Sequence, residues 1–387
     1  MAKRLDSHDD VYDRQIRLWG ADAQKRMCNA RVLYIRLSGV TCEIMKNLVL
    51  AGVAAVVCDD RPYPGAVREM PCSFFCAEEM EAIIAGGNDG EATAEHEGGE
   101  PNAKKAKTFP TTVASAIEPK IEELNPLLAG RNGIEERPIS SLPDEYFAQF
   151  DAIVASRLTA AEATRISLAL QKVEKPEAGS KESNNDESGN GDDDNNEQSQ
   201  GTLFIVTDTF GFDGCAHLDF GRHHAYRREL GKDKLSDVLT IQPYVSMSDM
   251  LNVPLAEVKG RWDKVVPRIL VLQRLFMDYW ENVGSHSSLE SKDDKQRRDD
   301  FVKFTENWIA AKAVSKESCF NDGDQLGFEQ LADIAHHPEI SPVSAVLGGV
   351  LGNEVIKALT GKGEPANNIL MFSGLDGGCR SFLLGSD

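Results

Sequence analysis

The apolar residues of this chain fall into short unbroken runs that alternate with helically spaced ones. Arg31-Val32-Leu33-Tyr34-Ile35 reads as a buried strand, 36–41 as a turn, 42–51 as a helix and 54–58 as a second strand ending at Asp59. Further on, 114–124 has helical spacing, with Pro119 as a kink site and Asn125-Pro126 as a stop. Residues 150–156 form a strand pattern, 160–173 a helix and 203–207 a short buried strand. From 210 to 220 apolar and polar residues alternate as in antiparallel strands, with Gly211 and Gly214 at turn or bulge positions.

From 248 to 334 the pattern is helical. Val265, Ile269, Leu272, Leu275 and Phe276 place a helix over 264–279, a second is predicted over 301–313, and the mixed-charge run 284–300 reads as a linker. Residues 343–359 form another helix, with Val346, Leu347, Val350, Ile356 and Leu359 on its apolar side. Its Gly348, Gly349 and Gly352 each cost roughly 1 kcal/mol of helix propensity, which predicts close packing against another backbone. Two closing strands are expected at 368–372 and 380–384. The sum is an α/β, doubly wound, Rossmann-like domain over 1–387, with a small helical insertion at 248–334 and a return to the α/β layers at 341–387.

Strand, tight turn, helix and a second strand ending in an acid is the nucleotide-binding βαβ layout. A turn that cradles phosphate needs several glycines, so that backbone N–H groups at the helix start approach the anion. Gly39 is the only glycine in this turn, and Arg36 and Thr41 stand where the first and last would be. The layout of a nucleotide site is present, and its phosphate-holding parts are mostly missing. Asp59 reads better as a strand-end cap than as a ribose ligand.

The opening run Tyr12-Asp13-Arg14-Gln15-Ile16-Arg17-Leu18-Trp19-Gly20, followed by Ala23-Gln24-Lys25-Arg26, resembles the ubiquitin-like-activating enzyme superfamily, the MoeB/ThiF-like adenylating proteins. Within it the resemblance is to the small, Aos-type subunits of the SUMO-activating enzyme. Further blocks follow in family order: Glu43-Ile44-Met45-Lys46-Asn47-Leu48-Val49-Leu50-Ala51-Gly52, Glu123-Leu124-Asn125-Pro126 and Phe147-Ala148-Gln149-Phe150-Asp151. Ser341-Pro342-Val343-Ser344-Ala345-Val346-Leu347-Gly348-Gly349 and Glu354-Val355-Ile356-Lys357-Ala358-Leu359 complete the series, which spans nearly the whole chain.

The resemblance implies a ThiF-type adenylation domain with a degenerate nucleotide site, active only as a heterodimer. The partner is a large Uba-type subunit that holds ATP and Mg2+, the catalytic cysteine and a zinc; this chain alone holds no cofactor. The reaction is adenylation of the C-terminal glycine of SUMO, followed by thioester formation on the partner. The residue implied to reach across to the nucleotide is Arg14, the arginine of the Tyr-Asp-Arg motif. The family's Asn-x-x-Arg-Gln-Phe run is not recognisable; Gly65-Ala66-Val67-Arg68-Glu69-Met70 occupies its place.

Composition narrows the picture less than it first promises. The formal net charge is −20, but 77–103 and 174–200 together carry −15 of it. These acidic inserts, 77–108 and 174–200, are poor in large apolar residues and read as disordered. The acidity argues against a nucleic-acid partner. No uninterrupted apolar run approaches the roughly 20 residues of a membrane span, so no membrane partner is expected. The eight cysteines have irregular spacing, which supports neither a metal site nor a disulfide framework and reads as free thiols in a reducing compartment. Lys104-Lys105-Ala106-Lys107 reads as a nuclear-import signal or as a solvated basic patch. The expected location is the nucleus, with the cytoplasm second.

Other residues carry competing readings. Tyr12, Ile16, Leu18 and Trp19 are either core or partner interface. Cys215 and His217 share a strand face and could touch, but a core thiol is the favoured reading. The pairs His223-His224 and His336-His337 are expected at the surface. Alternative functions are the small subunit of the neddylation-activating enzyme, or a non-catalytic scaffold for a Uba-type partner. A homodimeric MoeB-like adenylase or a nicotinamide oxidoreductase needs the glycines that the turn lacks.

Overall fold

The computed structural model describes residues 8–78, 110–173, 201–231, 234–255, 258, 267–283, 294–314, 328–336 and 339–384. The basic run at 104–107, His337 and almost all of the two acidic inserts lie outside them.

Among the described residues, eight strands pair into one sheet. Its parallel part comprises β1 (Arg31–Ile35), β2 (Ala54–Cys58), β3 (Gly133–Glu135), β4 (Ala152–Ala155) and the start of β5 (Leu203–Phe210). Their spatial order is β3-β2-β1-β4-β5. The antiparallel part continues with β6 (Asp213–Asp219), β11 (Ile369–Ser373) and β12 (Gly378–Phe382). The short strands β7 (Ala225–Tyr226) with β10 (Leu239–Thr240), and β8 (Glu229–Gly231) with β9 (Lys234–Leu235), form two small ribbons. Strand order reverses between β1 and β4, and in open α/β sheets the crevice at that point is where ligands bind.

β1 shows why the sheet is a middle layer. Val32 and Tyr34 enter one apolar cluster, while Leu33 and Ile35 enter the other. A parallel strand covered on both faces has no polar side, hence its unbroken apolar run. The first cluster is closed by α3 (Gly39–Leu50), α4 (Val113–Leu124) and α11 (Ser341–Thr360). Ahead of α3 come α1 (His8–Trp19) and α2 (Ala21–Asn29); α5 (Asp144–Phe147) precedes β4.

The second cluster is closed by α6 (Ala160–Val173), α7 (Met247–Asn252), α8 (Arg268–Val283), α9 (Asp294–Ala311) and α10 (Phe328–His336). The stretch 248–334 thus supplies much of this covering layer. Every residue of α8 from Leu270 to Met277 is buried, Gln273 and Arg274 included, so this part of the helix runs through the core.

Several boundaries differ from expectation for local reasons. α3 begins at Gly39, not at 42, because Ser38 caps it and pairs reciprocally with Thr41 in a capping box. α9 begins at Asp294, inside the run read as a linker. Its polar first turns are helical, and Gln296 Nε2 donates to Asp300 Oδ1 at 2.9 Å. β5 runs on to Phe210, because its last residues pair with β6 around the Gly211 turn.

α11 is long and apolar enough to cross a membrane by length and composition, yet it packs along α3. It is not an uninterrupted apolar run, because Asn353, Glu354 and Lys357 break it; Lys357 pairs with Glu354 at 2.7 Å. Its buried stripe is Val343, Leu347, Leu351, Val355 and Ala358; Val346, expected on that side, is exposed.

Two adjacent glycines of α11 have opposite roles. A Cβ on Gly348 would lie 2.5 Å from Glu43 Cβ and 3.1 Å from Val40 O, whereas one on Gly349 meets nothing within 4 Å. Gly348→Ala should therefore destabilise the fold by about 1–3 kcal/mol through overpacking. Gly349→Ala should stabilise it by up to about 1 kcal/mol through helix propensity. Paired denaturant titrations measure both, and equal effects of the two substitutions would refute the packing argument.

Candidate functional site

The crevice at the reversal between β1 and β4 is the candidate site. Arg36, directly after β1, has φ 50°, the left-handed conformation that glycine adopts without strain. The chain therefore keeps the bend of a glycine turn while carrying a side chain there. That side chain does not crowd the bend. Its guanidinium forks onto Glu162 at the start of α6, with Nη1–Oε2 2.7 Å and Nη2–Oε1 2.5 Å, and also donates to Arg157 O at 2.8 Å.

The backbone N–H groups at the head of the turn and the start of α3 have partners within the chain. Leu37 N donates to Asp59 Oδ2 at 2.8 Å and Ser38 N to Thr41 Oγ1 at 2.8 Å. Gly39 N donates to Glu339 Oε1 at 2.9 Å. Gly39 is the one glycine that the turn needs for close approach: a Cβ there would come within 2.8 Å of Cys72 Cβ and of Ser344 Oγ.

Asp59 is fully buried and joined to Arg61 through Nε at 2.9 Å and Nη2 at 2.7 Å. Burial alone would raise its pKa, but the charge and hydrogen bonds of Arg61, with the Leu37 N–H, outweigh it and hold the carboxyl below its ordinary 3.8. Asp59 thus ties off the end of β2 against the turn, as a strand-end acid does.

On the other side of the reversal, Arg157 follows β4 with φ 53° and is 4% exposed. Its Nη2 donates to Glu339 Oε1 at 3.0 Å, and its backbone N donates to Asp208 Oδ1 at 2.8 Å. The Glu339 carboxylate also accepts from Cys72 N at 3.2 Å. Three arginine–carboxylate pairs therefore converge on the crevice: Arg36–Glu162, Arg61–Asp59 and Arg157–Glu339. Sequence reading missed Arg157, Glu162 and Glu339, because their partners come from separate elements, and it missed Arg61, whose partner Asp59 is only two residues away. The Gly39–Glu339 contact joins residues 300 positions apart.

Arg14, the sequence-predicted catalytic residue, takes no part in these contacts. It lies on the outer face of α1 and is exposed, beside Val11 (42% exposed) and Leu18 (70%) at helical spacing. The opposite face anchors the helix. Tyr12 is buried and its hydroxyl accepts from Asn125 Nδ2 at 2.9 Å; Trp19 packs on the core and donates to Gln24 Oε1 at 3.0 Å. Tyr12 and Trp19 are core residues, Ile16 is half-buried and Leu18 faces outward.

The other flagged groups serve the interior. Cys215 is buried, bonds Gln273 Oε1 at 3.4 Å, and burial pushes its thiol far above the usual range. His217 bonds Val245 O at 3.0 Å through Nε2, not Cys215, and burial lowers its pKa to about 4. His224, expected at the surface, is buried with Phe220 and Tyr244 around it. Its neighbour His223 is exposed. Among the described residues, no group of three His, Cys, Asp or Glu side chains is placed to hold a metal.

No family model matches the chain. It is 26% identical over 369 residues to SUMO-activating enzyme subunit 1A of Arabidopsis thaliana, covering 95% of this chain and 92% of that protein. It is 25% identical over 389 residues to SUMO-activating enzyme subunit 1 of Danio rerio and 24% identical over 382 residues to that of Homo sapiens, with the same coverage. This similarity supports a subunit of the SUMO-activating enzyme family. The mixed eight-stranded sheet with helices on both faces is consistent with a Rossmann-like adenylation fold.

The crevice makes a pH prediction. Asp208 is fully buried at the end of β5, and burial pushes its pKa up to about 7 against Ser156, Arg157 and their hydrogen bonds. Between the ordinary 3.8 and about 7, the folded chain keeps a proton that the unfolded chain releases, so this group makes stability fall as pH rises through that window. Asp208→Asn cannot ionise and should lose less stability than the parent between pH 4 and 7. Denaturant midpoints across that range check this; parallel curves would mean that Arg157 keeps Asp208 ionised throughout.

Proposed function

We propose that this chain is the non-thioester-forming subunit of a heterodimeric SUMO-activating enzyme. It supports ATP-dependent adenylation of the C-terminal glycine of SUMO by a large Uba-type partner, which binds the ATP and Mg2+. The observation that carries this reading is similarity over nearly the whole chain to proteins named SUMO-activating enzyme subunit 1. The degenerate turn supports it. A nucleotide phosphate would have to displace Glu339 from Gly39 N, and a ribose would have to compete with Arg61 for Asp59.

Arg14 is the residue contributed in trans. A guanidinium is permanently charged and offers a planar fork of donors to phosphate oxygens. Its exposure on an anchored helix, flanked by the exposed Val11 and Leu18, fits a side chain that meets a partner. Nuclear residence, with cytoplasm second, belongs to the same proposal and is checked by imaging a fluorescent fusion.

Two expected outcomes test the reading. The isolated chain should not bind Mg-ATP at micromolar concentration in a calorimetric titration; micromolar binding would revive a self-sufficient adenylase. In the reconstituted pair, Arg14→Ala should leave assembly intact by gel filtration and slow SUMO-dependent pyrophosphate exchange by roughly 10-fold or more. Arginines supplied in trans to γ-phosphoryl transfer are worth about 10³–10⁵, and attack at the α-phosphate should depend on them less. Arg14→Lys should recover little, because an ammonium does not reproduce the fork. An unchanged exchange rate would leave the chain a scaffold, and a lost dimer would make Arg14 an interface residue.

A further inference from the structure

The start of α3 retains the physical features of an anion site, and the chain fills it from within. α3 is 12 residues long, and its aligned peptide dipoles favour negative charge at this end. The groups that converge there are the Gly39 N–H at 2.9 Å, the Cys72 N–H at 3.2 Å and the Arg157 guanidinium at 3.0 Å, all donating to the Glu339 carboxylate. That carboxylate is 1% exposed and the guanidinium 4%. A further polar group points to the same spot. Ser344 Oγ is buried without a hydrogen-bond partner and lies 2.8 Å from where a Gly39 Cβ would be. Two backbone donors, one guanidinium and a spare hydroxyl exceed what one carboxylate uses, and they match a larger oxyanion.

We infer that this is a phosphate-type anion site for which Glu339 acts as a built-in ligand, so that shortening Glu339 turns it into a binding site for inorganic phosphate. The inference does not rest on the SUMO reading, since it concerns only this chain's own groups. It assigns Glu339 a role beyond a salt bridge: it neutralises the helix terminus and Arg157 together and closes the crevice to external anions.

The test uses the full chain with Glu339→Ala, melted in increasing sodium phosphate and in sodium chloride of matched ionic strength. In chloride the variant should melt below the parent, because Arg157 and the Gly39 and Cys72 N–H groups lose the Glu339 carboxylate. Phosphate at about 20 mM should raise its melting temperature by about 2 °C or more and saturate, as a ligand of the folded state does. The parent, whose site is full, should show no such difference between the two salts. Adding Arg157→Ala to the variant should abolish the phosphate response. Where Glu339→Ala is not recovered folded, Glu339→Ser replaces it, and refolding yield in phosphate against chloride serves as the readout. An equal response of parent and variant, or an equal response to both salts, would overturn the inference and leave Glu339 an ordinary buried ion-pair partner.

Discussion

The close approach of α11 to α3 governs much of this structure. Gly348 lets the two backbones meet beside Val40, Glu43 and Ile44, while Glu339, just before α11, reaches Gly39 at the start of α3. One contact therefore fixes the helix behind the β1 turn at two places along its length. Gly39 and Gly348 are both positions where a Cβ would meet a neighbour below 3.0 Å. Larger residues would separate the helices, and the Glu339 carboxylate would then no longer reach the α3 terminus. Packing and electrostatics at the crevice are thus consequences of the same geometry.

That geometry explains how the chain's own side chains occupy the start of α3 in a nucleotide-type βαβ layout. The reversal of strand order between β1 and β4 brings loop ends together and leaves a crevice. An empty crevice lined with unpaired N–H groups would carry the desolvation penalty of each. Here Asp59, Glu339 and the Ser38–Thr41 capping box satisfy those groups, and Arg61 and Arg157 neutralise the two buried carboxylates. Buried ion pairs of this kind contribute little net stability, but removing one partner strands the other charge at a cost of about 3–5 kcal/mol. The partners of each pair are therefore mutually dependent.

Much of the fold was legible in the sequence because its signals are local. β2 and α6 fall where the apolar spacing puts them, and Arg36 and Thr41 announce a damaged turn by identity alone. What could not be read was contact at a distance. Arg157, Glu162 and Glu339 look like ordinary charged residues until the topology brings them to their partners. The left-handed conformation of Arg157 leaves no trace in the sequence either, since an arginine stands where glycine is the usual choice. His224 misled for a related reason: its burial comes from Phe220 and Tyr244, and Tyr244 lies 20 positions away.

α1 shows how one short helix can divide core and surface duties. Tyr12 and Trp19 tie it down. Asn125 Nδ2 links the Tyr12 hydroxyl at 2.9 Å to Val49 O at 2.7 Å, so α1 is registered against the end of α3. Gln15 Nε2 adds a bond to Leu50 O at 3.3 Å. A side chain that must meet a target on another subunit gains little from charge alone. It needs a backbone whose position is fixed, because a displacement of about 1 Å in a reacting geometry can cost roughly 10²-fold in rate. The exposed Val11 and Leu18 flank Arg14 on a helix held in this way. Within the opening motif, Tyr12, Gln15 and Trp19 hold the helix to the core while Leu18 shares the exposed face with Arg14, an arrangement that the role proposed for Arg14 requires.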